Sequence, residues 1–240
     1  GRMVRRKIMH IIENKKKVLI AVPHQDWLHC SVVLSIIKIL NDTRYDKFVL
    51  LPPPYGFMTV ESKRQYIHNF FIKKEFDGKK FDYLLRMDDD NGPLKNPLDL
   101  IELDKDIIGC VTPTWAYAKK FAGQNPIKFN AYDKYFDKKR KKWGYREHKK
   151  MKGLQEVDAI GMGCYLVARR VIEGIKEPVQ SIAYNDGSVF KGEDITFCER
   201  AKKQGFKIYA HYDYPCTHFK EIDLREMGEG YKEYYKLKHK

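Results

Sequence analysis

No stretch of this 240-residue sequence approaches the roughly 20 consecutive apolar residues that a membrane-spanning helix needs, and its first residues, Gly1 to Arg6, lack the apolar core of a secretory signal. No transmembrane segment is therefore expected. Cysteine is scarce and unpaired: Cys30, Cys110, Cys164, Cys198 and Cys216 are odd in number and widely scattered, without a Cys-x-x-Cys. That spacing argues against a disulfide framework or a zinc knuckle, and a reducing, cytoplasmic setting is expected. Internal repeats are absent, as are low-complexity segments other than one basic stretch.

Acid is also in short supply. The chain carries 46 Lys and Arg against 32 Asp and Glu, a net charge of +14. Such an excess favours polyanionic partners, nucleic acid above all, or an anionic membrane surface. It is concentrated between Lys134 and Gly153, where ten basic residues and two acids leave +8. Tyr135, Phe136, Trp143 and Tyr145 interleave with those charges, a composition that can grip phosphates and offer stacking faces. A solvated surface loop with no specific role is the competing reading.

With 43% hydrophobic and 13% aromatic residues the chain can bury a sizeable core, and a single domain over 1–240 is expected. Apolar runs at 17–22, 47–51, 83–87, 106–111 and 206–210 read as strands. Helical spacing marks 27–40, 61–76, 169–175 and 193–204, and 157–167 reads as one or two strands interrupted by Gly161 and Gly163. Strands alternating with helices predict an α/β fold with a Rossmann-like, mostly parallel sheet and a mixed C-terminal half. The sequence leaves open whether the basic tail, 222–240, is a helix over the active site or an unstructured end.

The strand at 83–87 ends in three consecutive carboxylates, Asp88, Asp89 and Asp90, followed by Asn91-Gly92-Pro93. Crowded acids repel one another, and the repulsion is relieved where a cation sits among them. Open α/β sheets place ligands at this end of their strands. Asp88 and Asp90 can converge on one divalent ion while Asp89 turns elsewhere, and an all-oxygen set suits Mg²⁺ or Mn²⁺ better than zinc. A polar loop of solvated acids is the alternative. His211, Cys216 and His218 also cluster in sequence, but no second pair completes a four-ligand zinc site.

These residues together resemble the nucleotide-sugar glycosyltransferases of the GT-A fold, over roughly 18–220. The resemblance rests on a strand ending in Pro23, on Glu61 to Asn69, similar to the Arg-bearing helix before the metal motif, and on Asp88-Asp89-Asp90, which looks like the Asp-x-Asp signature. Gly161 to Arg170 resembles the acceptor-side Gly-x-Gly segment. Glu193-Asp194 and Cys216-Thr217-His218 resemble the late acidic motif and the C-terminal metal-binding histidine.

The resemblance implies a hexosyl- or pentosyltransferase that uses Mn²⁺ or Mg²⁺ and a nucleotide-sugar, expected to be a UDP-sugar. Asp88, Asp90 and His218 would form the metal site; Pro23, Arg64, Asp88 and Asp89 would contact the donor; Asp194 or Glu193 would be the base that deprotonates the acceptor. Each residue also has a plainer role: acids at a helix start are favoured by its dipole, Arg64 can be solvated on its helix, Arg169-Arg170 can be a helix-face pair, and His218 an ordinary histidine. The charge points to a DNA acceptor carrying a hydroxymethylated base, as some bacteriophage enzymes of this kind modify, engaged through Lys138, Lys139, Arg140, Lys141, Lys142 and Trp143. The alternatives are a surface polysaccharide or lipid acceptor, a catalytically silent nucleic-acid-binding protein, and a metal-dependent nuclease.

Overall fold

A computed structural model of the chain describes residues 15–24, 27–52, 58–115, 127–139, 141–177, 179–183, 189–219 and 236. The elements run in chain order β1 (Lys17–Ala21), α1 (Cys30–Leu40), β2 (Asp46–Leu50), α2 (Val60–Lys73), β3 (Glu75–Phe76), β4 (Lys79–Lys80), β5 (Tyr83–Met87), a 3₁₀ helix (Pro97–Leu103) and β6 (Ile107–Cys110). There follow β7 (Pro113–Trp115), β8 (Ile127–Phe129), β9 (Ala131–Asp137), β10 (Lys142–Glu147), β11 (Leu154–Val157), β12 (Ala159–Ile160) and β13 (Cys164–Ala168). The chain continues with α3 (Arg169–Gly174), β14 (Ile182–Ala183), β15 (Val189–Lys191), α4 (Glu193–Lys203) and β16 (Ile208–His211).

Seven strands form one mixed sheet in the order β11-β16-β6-β13-β5-β1-β2. β1 is parallel to β2 and β5, and β16 to β6, while β13 lies antiparallel between β5 and β6, and β11 antiparallel to β16. Five strands, β2, β1, β5, β6 and β16, therefore point the same way, and the antiparallel members come from the later half, as the sequence pattern predicts. β1, β5, β6 and β13 are buried along their whole lengths, which explains their near-continuous apolar runs, broken only by Lys17 in β1 and Arg86 in β5.

The sheet has a core on each face. Leu19, Leu84, Val167 and Ile208 join Ile67 and Phe71 of α2 and Phe197 of α4 on one side. Val18, Ile20, Leu85 and Leu166 join Val32 and Ile39 of α1 and Leu98 of the 3₁₀ helix on the other. Alternate strand residues divide between these cores because successive side chains point to opposite faces.

α1 starts at Cys30 rather than Trp27, and two larger differences from the sequence expectation follow. α2 stops at Lys73 rather than Phe76, because Asp77 (φ 49°) and Gly78 (φ 67°) make a tight turn that pairs β3 with β4. Asp-Gly is the signature of such a hairpin, and it overrides the helical spacing before it. The basic segment is no structureless insertion: β9 and β10 form an antiparallel hairpin whose inner strand pairs with β12, giving a second sheet ordered β10-β9-β12.

Candidate functional site

The five co-directional strands deliver the ends of β1, β5 and β6 to one edge of the sheet, and β13 begins there, with Cys164 opposite Met87. At that edge the Asp88 amide donates to the Gly163 carbonyl at 2.7 Å, the Asn91 amide to the Asp88 carbonyl at 3.2 Å, and the His29 amide to the Asp89 carbonyl at 2.9 Å. The aspartate loop is thus tied by its backbone to the Gly-x-Gly turn and to the start of α1. Gly163 has no room for a side chain, since a Cβ there would lie 2.5 Å from Asn91 Oδ1 and 2.9 Å from Thr112 Oγ1.

The segment around Cys216 returns to this edge after β16 and runs antiparallel to 90–94. Leu94 N donates to the Pro215 carbonyl, Cys216 N to Val111, Thr217 N to Gly92 and Phe219 N to Asp90, at 2.9 to 3.3 Å. This clamp brings His218 Nε2 to 3.6 Å from Asp90 Oδ2, with the two side chains 17% and 13% exposed. His218 Nδ1 lies 2.6 Å from the Pro113 carbonyl, which can only accept, so Nδ1 carries the proton. In the neutral ring, Nε2 then presents its lone pair toward Asp90, the arrangement that outer-shell carbonyls impose on metal-ligating histidines. Two adjacent ligands of an octahedral ion at ~2.1 Å lie ~3.0 Å apart, so Asp90 and His218 need close by only ~0.6 Å to share one. Their donor chemistry fits a divalent cation.

Asp88 belongs to a different group. Its Oδ1 faces Arg86 Nη2 at 3.4 Å and Arg64 Nη2 at 3.6 Å. Arg64, from α2 and 5% exposed, also pairs through Nη1 with Glu193 at the start of α4. Burial, reinforced by the like charge of Arg86, brings its guanidinium down to about 10, still fully charged near neutrality. Arg86 is completely buried, donates to the Met162 carbonyl at 2.7 Å and lies 4.7 Å over the Tyr165 ring. Among the described residues, Arg64 Nε, Arg86 Nε and Nη1, His68 Nε2 and the Tyr165 hydroxyl are buried without a hydrogen-bond partner. The Ser181 hydroxyl lies beside Glu193, 3.4 Å from Oε2, and donates to Glu61 at 2.8 Å.

No protein-family model matches the sequence, and no curated protein matches it. Among solved structures, the chain superposes on A197 from STIV with a TM-score of 0.54 and 18% identity, over 85% of this chain and 86% of that one. It superposes on GalNAc-T7, solved with UDP, GalNAc and Mn²⁺, with a TM-score of 0.51 and 11% identity, over 92% of this chain and 48% of that one. The chain has a GT-A-like fold. It spans about half the length of GalNAc-T7, and at these identities the likeness extends to the fold alone.

Within this GT-A-like frame the residues expected from the sequence separate. Asp90 and His218 meet at the sheet edge, while Asp88, expected with them at the metal, faces Arg86 and Arg64 instead, and Asp89 lies between the two acids in the loop; Pro23 is buried just beyond β1, which pairs with β5. Arg64 faces two carboxylates rather than solvent. Asp194 opens α4, where its Oδ1 accepts from the Ile195 amide at 2.7 Å. Arg169 and Arg170 lie at the far end of β13, where the Arg169 amide bonds the Asp82 carbonyl, six residues and ~20 Å of strand from Asp88. There they bind Glu173 and Asp106, a helix-face role and not a diphosphate clamp. His211 stacks edge-on against Tyr214 and accepts from the Asp213 amide, apart from Cys216 and His218.

The hairpin divides the basic segment into a docked base and a free tip. Tyr145 donates to Glu199 of α4 at 2.8 Å and Lys134 pairs with the same carboxylate at 3.3 Å, so both are spent on anchoring. Tyr132, on the same strand as Lys134, lies close enough to Asp194 that, after burial, that carboxylate is the next cause pushing its phenol up to about 12. Beyond the anchor, Trp143 is 60% exposed and Phe136 46%, edge to face at 5.4 Å, with Lys138, Lys139, Lys141 and Lys142 beside them. Arg140 and most of the tail 222–240 lie outside the described residues.

Sequence reasoning passed over Arg86 and His29. Arg86 carries a legible signal, a lone charge inside an apolar strand; His29, which caps α1 and stacks on Phe219 at 3.6 Å, carries none.

Proposed function

We propose that this chain is a single-domain, metal-dependent glycosyltransferase that moves a sugar from a nucleotide-sugar to an acceptor hydroxyl. The observation that carries the reading is the Asp90–His218 pair, assembled from positions 128 apart on the ligand-bearing edge of a GT-A-like sheet, with the histidine tautomer set for ligation. Bound between Asp90 and His218, Mn²⁺ or Mg²⁺ supplies Lewis-acid stabilisation of the charge that grows on a departing diphosphate. Asp88 and Asp89 contact the donor's sugar or ribose, and Pro23 bounds the donor's base. Arg64 and Arg86 fix the Asp88 carboxylate, which makes Arg64 a positioning residue rather than a phosphate ligand.

Glu193 is occupied by Arg64, so Asp194 is the residue left to take the acceptor's proton. Its neighbour Tyr132 belongs to the basic hairpin, which supports an acceptor-side role for that hairpin. A nucleic-acid acceptor bearing a hydroxyl on a modified base fits the exposed Trp143 and the lysines around it, since duplex bases must leave the stack to reach an enclosed site.

The test is turnover of a panel of nucleotide-sugars, UDP-sugars first, with Mn²⁺, together with Mn²⁺ binding followed by electron paramagnetic resonance. Asp90→Ala and His218→Ala should each weaken Mn²⁺ binding and abolish turnover while remaining folded. Full turnover in Asp90→Ala would refute the assignment. DNA binding without donor turnover would favour the silent nucleic-acid-binding reading, and strand cleavage without sugar transfer the nuclease.

A further inference from the structure

Three cysteines far apart in sequence meet beneath the aspartate loop. Cys110 ends β6, Cys164 begins β13, and Cys216 lies in the returning segment two residues before His218; their sulfurs all fall within 4.8 Å of one another. Cys110 and Cys164 are fully buried and Cys216 is 4% exposed. We propose that this trio is a site for a thiophilic d¹⁰ cation, Zn²⁺ or Cu⁺, distinct from the oxygen-bearing edge above it.

Cysteine is a common small core residue, and three of them could simply pack. Two further observations point to a ligand. Three sulfurs around one ion at ~2.3 Å lie ~3.8 to 4.0 Å apart, so side-chain rotations of under ~1 Å complete the set. Beside it, the Thr112 hydroxyl, 2% exposed, lies against the Cys216 thiol and has no other hydrogen-bond partner among the described residues. Asn91 Oδ1, also without a partner, is buried next to it at the place where a Cβ on Gly163 would meet both oxygens. A buried hydroxyl whose sole neighbour is a weakly bonding thiol is poorly satisfied, and a donor role toward a metal or its thiolates offsets that.

Binding exchanges protons for the ion. Zn²⁺ takes three thiolates and releases three protons, with the Thr112 oxygen or a water as fourth donor; Cu⁺ is satisfied by the sulfurs alone. Either way the ion ties β6 and β13 to the segment that carries His218, and so fixes the histidine's approach to Asp90.

The experiment uses the full chain. Metal content as purified is measured by mass spectrometry; metal-free, reduced protein is then titrated anaerobically with Co²⁺ as a Zn²⁺ probe, and separately with Cu⁺ against bicinchoninate. One thiolate-bound Co²⁺, counted by its intense near-ultraviolet charge-transfer band, or one Cu⁺ per chain is expected, and each metal should raise the melting temperature. Cys216→Ser and Cys164→Ser should each weaken binding by more than about tenfold, beyond the loss of an outer-shell partner, while Cys30→Ser and Cys198→Ser leave it unchanged. If a serine variant fails to fold, protection of Cys110, Cys164 and Cys216 from alkylation by added metal in the unsubstituted chain decides the matter. Absence of a charge-transfer band and of Cu⁺ binding, or a disulfide among the three in the purified protein, overturns the proposal. Mn²⁺ binding at Asp90 is read independently, so failure of one site does not mimic failure of the other.

Discussion

Acid should destabilise this protein through one histidine. His68, on α2, is partly buried, its ring 5.6 Å from that of Phe197 and its Nε2 shielded from solvent without a partner among the described residues. Burial first, and then the charges of Arg86 and Arg64, bring its pKa down to about 3. Protonation there would add a third positive charge beside two buried guanidiniums. In the unfolded chain the same imidazole titrates near ~6.5, so below that pH the unfolded state binds a proton that the folded state refuses. Stability is therefore complete above pH ~6.5, falls by ~1.4 kcal/mol per pH unit beneath it, and levels off near 3. At pH 5 the loss is ~2 kcal/mol, a large part of the ~5 to 15 kcal/mol that holds an ordinary domain. Urea unfolding followed by circular dichroism between pH 7.5 and 5 measures it and stays above the window where Glu61, Asp158 and Glu199, all held low, would titrate. His211 is also lowered by burial and adds to the slope, so the informative quantity is the difference between the wild type and His68→Leu. That variant should lose ~2 kcal/mol less on acidification. An unchanged pH dependence in His68→Leu would refute the electrostatic account of the Arg64–Arg86 cluster.

Other outcomes follow from the same geometry. Asp194→Asn, nearly isosteric and unable to accept a proton, should lower transfer on the order of 10²-fold or more while nucleotide affinity is kept; a collapse of nucleotide affinity would move the residue to the donor side. Glu193→Gln leaves Arg64 buried with only Asp88 and should destabilise the fold by about 3 to 5 kcal/mol in urea titrations, a cost that a purely catalytic residue would not show. Gly163→Ala should weaken the aspartate loop, because its Cβ would press on Asn91 and Thr112, and a melting temperature equal to the wild type's would contradict the close approach. Replacing Lys138, Lys139, Lys141 and Lys142 with Ser should flatten the salt dependence of DNA binding, by about 0.9 in logarithmic slope for each phosphate no longer neutralised, while donor hydrolysis is untouched.

Most of the sheet was legible because its strands carry their signal locally. An apolar run such as Val18 to Val22, or Tyr83 to Met87 with its single Arg86, reads the same in isolation as when covered on both faces, and the acids after Met87 advertise the edge where they emerge. The hairpin at 131–147 was not legible: Tyr132, Lys134 and Phe136 share one face of β9, aromatic and charged together, so the pattern resembles the composition of a solvated basic loop until Tyr145 and Lys134 are seen docked on Glu199.

Pairings between distant residues lay furthest from the sequence. Nothing local distinguishes Arg64 as a residue that bridges Asp88 and Glu193, because its helix shows only a weak amphipathic pattern and the partners are 24 and 129 positions away. The cysteines show the same limit with the opposite consequence: spacings that exclude a zinc knuckle in a linear reading say nothing once β6, β13 and the returning segment converge. A sheet edge gathers the ends of non-adjacent strands, so chemistry assembled there appears in sequence as isolated residues that each follow an apolar run. Asp88 and Cys110 both occupy such positions, as does Cys164 at the start of the antiparallel strand. The same topology that brings Asp90 to His218 above the edge thus brings three sulfurs together beneath it.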